Sequence, residues 1–469
     1  MNWKNIFKSL KNKDMLKRVL GVVGLIVVFR FLAHIPVPMA EPTELQDVVS
    51  KAINSTDLGG FINLLTGGSL TSFSIMLVGL SPFITASIIT QLMTKAIPAL
   101  EELSNDGETG RQKINQWTRI IAVPMAIVQS IAYIFILQST VLSQHTTVFE
   151  GMSTLDWVVA VSAMTAGSIM LMWIGEIITE KGVGNGISLL IFAGIVSQMP
   201  TTLATIISSL GDTSSYGAMN VFGWFTLPIN PVAFWITAIM LVVGIILLYV
   251  LVKVNEAQRV ITINYAKRVH GNSAYGGIRS ILPIKMIVAG VIPVIFAVSF
   301  LSLPAFAGQV MKSSNWNVPL AEKLVTWFQA PNAGSFTGET WEAFIYPAVY
   351  FLLIVMFTFF YTSIVFNSNE IADNLQKQGG FIEGVRPGVS TANYLSKIVN
   401  RLNLFGALTL GFISLLPFVA DYLLYHLASV QNSNLSIGGT GLLIVVTVAL
   451  ETLRQINSRA LMVTYDEYE

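Results

Sequence analysis

Residues able to carry covalent or metal chemistry are few in this 469-residue chain, and none are grouped. There is no cysteine, so disulfides, thiolate metal sites and thiol nucleophiles are excluded. The four histidines (His34, His145, His270, His426) are scattered, with no pair at metal-ligand spacing. A hydroxyl nucleophile needs a base beside it. The hydroxyls inside apolar segments, such as Ser74, Ser81, Thr90, Ser162, Thr165 and Ser188, have no histidine or lysine companion. Their ordinary work there is helix packing. Ion-coupled transporters hold charge at mid-membrane. Here only Arg30, Glu176 and Glu451 come close, each near a segment end, where snorkelling accounts for them. No P-loop is present, so the chain is not expected to hydrolyse ATP. Neither a metal nor a cofactor is expected, and the residues point away from an enzyme.

The elements that position these residues are apolar. Hydrophobic residues make up 53% of the chain and charged residues 11%, against about 25% charged in a soluble domain. This composition specifies an all-α polytopic membrane protein. Apolar windows give ten candidate spans: Val19–Ile35, Phe73–Ile97, Ile120–Leu137, Trp157–Ile177, Ile187–Ile207, Ala233–Val252, Ile284–Leu303, Phe344–Phe366, Leu402–Phe418 and Gly441–Leu461. Residues 1–18 read as a basic amphipathic helix with no cleavable signal, and 462–469 as a short acidic tail. Lys and Arg crowd the N-terminal arm and the loops at 253–283 and 367–401, while the opposite loops carry only Lys51, Lys312 and Lys323. The positive-inside bias therefore puts both termini in the cytoplasm. The outer loops Thr201–Asn230 and Pro304–Glu342 read as surface loops without visible chemistry.

Within this frame, Gly59 to Pro98 stands apart. Phe61–Leu65 is apolar but trapped between Gly59-Gly60 and Gly67-Gly68, too short to cross a bilayer that needs about 20 apolar residues. A short glycine-hinged piece running into a full span reads as re-entrant, and irregular backbone survives at membrane depth only beside protein or a water-filled cavity. The second span contains Gly79-Leu80-Ser81-Pro82-Phe83-Ile84 and the seventh Gly290-Val291-Ile292-Pro293-Val294-Ile295. Both read G-x-x-P-x-I, five spans apart and so of opposite orientation, which fits two inverted five-helix halves, 19–213 and 214–461.

The motifs resemble the SecY family, the bacterial protein-conducting channels, along nearly the whole chain. The resemblance rests on Phe29-Arg30 with His34-Ile35-Pro36-Val37-Pro38, the segment GGFINLLTGGSLTSFSI, GRQKINQWTR from Gly110, and WIGEIITEKGVGNGIS from Trp173. It continues through NYAKR from Asn264, AGVIPVIFA from Ala289, ADNL from Ala372 with VRPG from Val385, and GGTGLLIVV from Gly438. The resemblance implies ten helices in two inverted halves around a central pore, with a re-entrant plug helix. It implies a pore ring of Leu80, Ile84, Ile187, Ile191, Ile295 and Ile444, and a plug near residues 60–72 with Phe61, Ile62, Asn63, Leu64, Leu65, Gly67 and Gly68. A lateral gate would set Thr85, Ser87 and Gln91 against Ser299 and Leu303. Arg259, Lys267, Arg268 and Arg386 would dock the SecA motor or the ribosome, whose RNA phosphate attracts exposed Arg and Lys. Further implied partners are SecE, SecG, signal peptides, nascent chains and membrane lipid, in the bacterial cytoplasmic membrane.

Three departures from the family pattern stand out: Val260 where a second arginine is common, Ile287 where asparagine is usual, and the tail Asp466, Glu467, Glu469 without a basic extension. Three other functions are weighed beside the housekeeping channel. An accessory Sec channel for selected substrates has the same motifs. An inverted-repeat secondary transporter would need polar ligands at mid-membrane, which are scarce. A membrane scaffold would leave the ring and the plug without a role.

Overall fold

The computed structural model describes residues 13–38, 73–142, 153–211, 219–221, 225–227, 229–265, 268–270, 273–275, 279–314, 316–331, 341–428 and 439–466. The plug residues and Lys267 lie outside them. Helices dominate: α1 (Lys13–Leu32), α2 (Ser81–Ala96), α3 (Pro98–Asn105), α4 (Gly107–Leu142), α5 (Thr154–Lys181), α6 (Gly186–Gly211), α7 (Pro231–Glu256), α8 (Ile292–Ser313), α9 (Val318–Phe328), α10 (Ile345–Val365), α11 (Ser368–Lys377), α12 (Val389–Ala428) and α13 (Gly439–Asp466). Among the described residues, α4–α8, α10 and α12 are long and apolar enough to cross a membrane, and the bent pair α2–α3 makes up to eight. Helices α1 and α13 cover the first and tenth expected spans.

Two span boundaries differ from the sequence reading. The second span is helical only from Ser81, because Phe73–Leu80 forms successive turns. Gly79 has φ +63°, and Pro82 starts a new helix from its first turn, where its missing N–H costs nothing. Pro98 then breaks the helix again, and α3 leaves α2 at 106°, with Lys95 and Glu101 paired at 2.7 Å across the bend. The seventh span also starts late. Ile284 and Lys285 close a strand, and α8 begins at Ile292 after Gly290 at φ +62°.

The loops expected to be irregular are built. Strands β1 (Met219–Val221) and β2 (Phe225–Leu227) form a hairpin, as do β4 (Arg268–His270) and β5 (Ser273–Tyr275). Strands β3 (Gln258–Tyr265), β6 (Arg279–Lys285) and β7 (Gly380–Ile382) form one antiparallel sheet with β3 in the centre. Within the segment 304–342, read as a surface loop, the described residues continue α8 through Pro304 to Ser313 and add the short helix α9.

The chain divides into two compact units. One comprises residues 1–238, 298–346 and 418–469, the other 239–297 and 347–417. In the first, Val37, Phe73, Leu77, Val78, Ile134, Ala160 and Met164 form a buried cluster around the non-helical lead-in to α2. In the second, Ile261, Ile284, Ile382, Leu395, Ile398 and Val399 pack the sheet onto α12.

Candidate functional site

The lead-in to α2 is buried, irregular backbone within the first unit. Phe73, Ser74, Met76, Leu77 and Val78 are all buried although they lie in no helix, so their backbone groups need partners. Val37 donates its N–H to the Phe73 carbonyl at 2.9 Å and Ile75 to the Ile35 carbonyl at 3.0 Å, a short bridge to the end of α1. Phe73 itself sits at φ +44°, a strained value for a bulky residue, held by this pairing and by burial. Helix α5 closes the other side. A Cβ on Gly167 would overlap the Ile75 carbonyl oxygen, so only glycine allows this approach. Ser168 donates to the Gly79 carbonyl at 2.9 Å.

The second unit repeats the device. Gly290 is left-handed, Pro293 is the second residue of α8, and a Cβ on Gly406 of α12 would lie 2.6 Å from the Met286 carbonyl oxygen. In each unit the contacted carbonyl lies four residues before the left-handed glycine. Ile287 is buried, with its Cγ1 3.5 Å from that same Cβ position, so this departure from the family pattern fills apolar space beside α12.

The six expected ring residues share one placement. Leu80 is the N-cap of α2 and Ile84 lies in its first turn. Ile187 and Ile191 lie in the first two turns of α6, Ile295 in the first turn of α8 and Ile444 in the second turn of α13. Leu80, Ile84, Ile191, Ile295 and Ile444 are buried. Ile187 is half-buried, and its Cγ1 leans toward Gly175 of α5. Five of the six belong to the first unit, and Ile295 belongs to the second.

Of the expected gate residues, Thr85 and Ser299 are buried, while Ser87, Gln91 and Leu303 are half-buried. Gln91 donates its amide N–H to Ser87 Oγ at 3.0 Å. Gln91 Oε1 and Thr85 Oγ1 are buried without a hydrogen-bond partner among the described residues, a cost of about 1–3 kcal/mol each. The structure adds a pair the sequence does not reveal. Tyr133 of α4 and Phe306 of α8 meet with ring centroids 5.2 Å apart, a contact contributing about 0.5–1.5 kcal/mol beyond area burial. One turn before Tyr133, on the same helix face, Gln129 Oε1 is buried and unpartnered among the described residues. Glu176 is not a free snorkelling carboxylate, because it accepts from Arg119 Nε at 2.7 Å and ties α5 to α4.

Of the expected docking residues, Arg259 falls on the three-stranded sheet of the second unit, Arg268 on the separate β4–β5 pair and Arg386 in a turn after β7. Strand β3 pairs with β6 over Gln258–Asn264 and with β7 over Ile263–Tyr265. The loops at 253–283 and 367–401 are thus one structure. Arg259 is exposed on β3. Arg386 is exposed in a turn between Gly384 at φ +78° and Gly388 at φ +93°, where its carbonyl accepts from Thr391 Oγ1 at 2.9 Å. Arg268 opens β4. The alternation in Val260-Ile261-Thr262-Ile263 is a strand signal present in the sequence.

A family model described as SecY matches residues 74–453. A protein translocase subunit SecY from Streptomyces coelicolor is 37% identical over 467 residues, covering 98% of each chain. Among solved structures, one concerns the plug domain of the SecY protein, which stabilises the closed state of the translocation channel. It is similar with a TM-score of 0.60 at 18% identity, covering 93% of this chain and 90% of that one. Sec61 in the canine ribosome–channel complex is similar with a TM-score of 0.52 at 16% identity, with the same coverage.

Proposed function

The chain belongs to the SecY family, the channel subunits of a protein translocase, and from that premise we propose how its residues divide the work of moving an unfolded polypeptide. The observation that carries the reading is the repeated lead-in. Two helices, α2 and α8, start inside the protein from a left-handed glycine and a first-turn proline, each supported by a glycine of a neighbouring helix. Irregular backbone at membrane depth is tolerated where protein buries it or where it lines a water-filled cavity, and on this reading the two helix starts border a central cavity. Such a repeat supports two inverted halves, with chain entering between them.

The ring of Leu80, Ile84, Ile187, Ile191, Ile295 and Ile444 is the constriction. Aliphatic side chains exclude water and ions by dewetting and yield to a passing chain. Residues 60–72 are the plug that covers this constriction at rest. The lateral gate sets Thr85, Ser87, Gln91 and Tyr133 against Ser299, Leu303 and Phe306, and its opening lets a signal sequence or an apolar helix partition into lipid. The unpartnered Thr85 and Gln91 oxygens lower the cost of opening, because a polar group that is unsatisfied in the closed state gains by meeting water or a peptide.

Energy is supplied from outside, by a SecA-type ATPase or by a ribosome docked on the exposed arginines Arg259 and Arg386 with Lys267 and Arg268. The ribosome-bound relative supports the second route. The protein sits in the bacterial cytoplasmic membrane with both termini inside, clamped by SecE and accompanied by SecG. The test is reconstitution with SecE and SecA in vesicles. ATP-dependent uptake of a secretory precursor is expected, and its absence from folded protein would sink the channel reading. Deleting Phe61–Ser72 is expected to raise ion conductance in a planar bilayer. Unchanged conductance would remove these residues from the role of plug.

A further inference from the structure

Helix α9 links the ends of two membrane spans, and its surface divides three ways. The apolar span within α8 ends at Lys312, and the next begins at Trp341. Only three residues separate Lys312 from Trp316, so α9 starts close to the membrane boundary. The helix folds back on α8. A Cβ on Gly308 would lie 2.9 Å from Leu324 Cβ and 3.0 Å from the Ala321 carbonyl oxygen, and Ala321 is fully buried. Away from α8 the helix exposes Glu322, Lys323 and Thr326. On its borders it exposes Leu320 at 45% and Val318 at 36%, and the indoles of Trp316, two residues before the helix, and of Trp341, which opens the next span, are both 70% exposed.

A solvated loop does not hold two tryptophans so open to water. A short amphipathic helix between two spans, with one tryptophan just before it and another at the start of the next span, matches the boundary between headgroups and acyl chains, where the ring is buried and the indole N–H stays hydrated. Span residues of the same unit also expose large apolar side chains, Phe300 at 42% and Phe344 at 52%. We infer that α9, with Trp316 and Trp341, lies in the lipid interface and anchors the adjoining end of α8 there. The occupant of this face is the headgroup–acyl boundary of the bilayer. The inference is independent of what the channel carries.

The absence of cysteine makes the test clean. Single variants Leu320→Cys and Lys323→Cys of the full chain are labelled with a small polarity-sensitive fluorophore and reconstituted in phosphatidylethanolamine–phosphatidylglycerol vesicles. The Leu320→Cys label is expected to show blue-shifted emission. A nitroxide near the top of the acyl chain should quench it more strongly than one at the chain end, and aqueous iodide should have little effect. The Lys323→Cys label is expected to be quenched by iodide. Adding Trp316→Ser and Trp341→Ser is expected to shift the Leu320→Cys label to the red and open it to iodide. Equal iodide quenching at both sites would overturn the inference in favour of a solvated loop. Shielding of the Leu320→Cys label from both iodide and lipid nitroxides would overturn it in favour of a protein covering.

Discussion

The lead-ins to α2 and α8 are made by the same rules but held by different means. Both place a left-handed glycine two residues before the helix and a proline second within it. Both set the carbonyl four residues upstream against a helix glycine, Gly167 of α5 in one unit and Gly406 of α12 in the other. They differ in the next residue of the supporting helix. Ser168 follows Gly167 and donates to the Gly79 carbonyl, whereas a fully buried alanine, Ala407, follows Gly406. The first lead-in is packed more tightly and hydrogen-bonded to its support, while the second rests on packing. The first also precedes, in sequence, the helix that follows the proposed plug, and a plug at 60–72 would have to move without dragging its own anchor. A rigid base beside a displaceable piece is the arrangement that mechanical requirement favours.

The largest effect separating the two supports is expected from Gly167→Ala. The new methyl would overlap backbone at Ile75 rather than the end of a flexible side chain, and overpacking of this kind costs about 1–3 kcal/mol, with this site at the upper end. Gly406→Ala has 2.6 Å to the Met286 oxygen and is expected to cost less. Thermal unfolding midpoints of both variants in the same detergent check the order. Equal midpoints, or a more damaged Gly406→Ala, would break the claim that the first lead-in is the tighter one.

The two left-handed glycines should behave alike instead. Gly79 at φ +63° and Gly290 at φ +62° both occupy a conformation that costs an L side chain about 1–2 kcal/mol. Gly79→Ala and Gly290→Ala are therefore expected to lower stability by similar amounts. A difference as large as that between the Gly167 and Gly406 variants would show that the local echo does not extend to the backbone.

Glycine and proline made these lead-ins readable from sequence, because both act on the backbone of their own residue and its neighbour. The spacing in Gly79-Leu80-Ser81-Pro82 needs no tertiary knowledge, and the span composition needs none either. The supports were not readable. Gly167 and Gly406 are ordinary small residues in apolar helices until a carbonyl is seen against them. The ring contact of Tyr133 and Phe306 depends on how two helices distant in sequence are rotated, which a hydropathy pattern leaves open. The sheet joining β3 to β7 escaped for a related reason. Its pairing of Ile263 with Ile382 is long-range, and three residues of strand carry almost no periodic signal. The same limit kept residues 304–342 a loop in the sequence reading, since α9 is short and its apolar face is split between α8 and the surface.

The hydroxyl at the support gives the most discriminating comparison. Ser168→Ala removes one hydrogen bond to the Gly79 carbonyl and is expected to cost about 1 kcal/mol. The reciprocal change, Ala407→Ser, places a hydroxyl one residue beyond Gly406, where Ser168 stands relative to Gly167. If the second lead-in copies the first down to its carbonyl, the hydroxyl finds the Gly290 oxygen and stability is kept or rises by a few tenths to about 1 kcal/mol. If the copy ends at the close backbone approach, the hydroxyl is buried without a partner, and stability falls by about 1–3 kcal/mol. The sign of that one change in unfolding midpoint tells whether the two lead-ins share a hydrogen-bonding geometry or only a glycine and a proline.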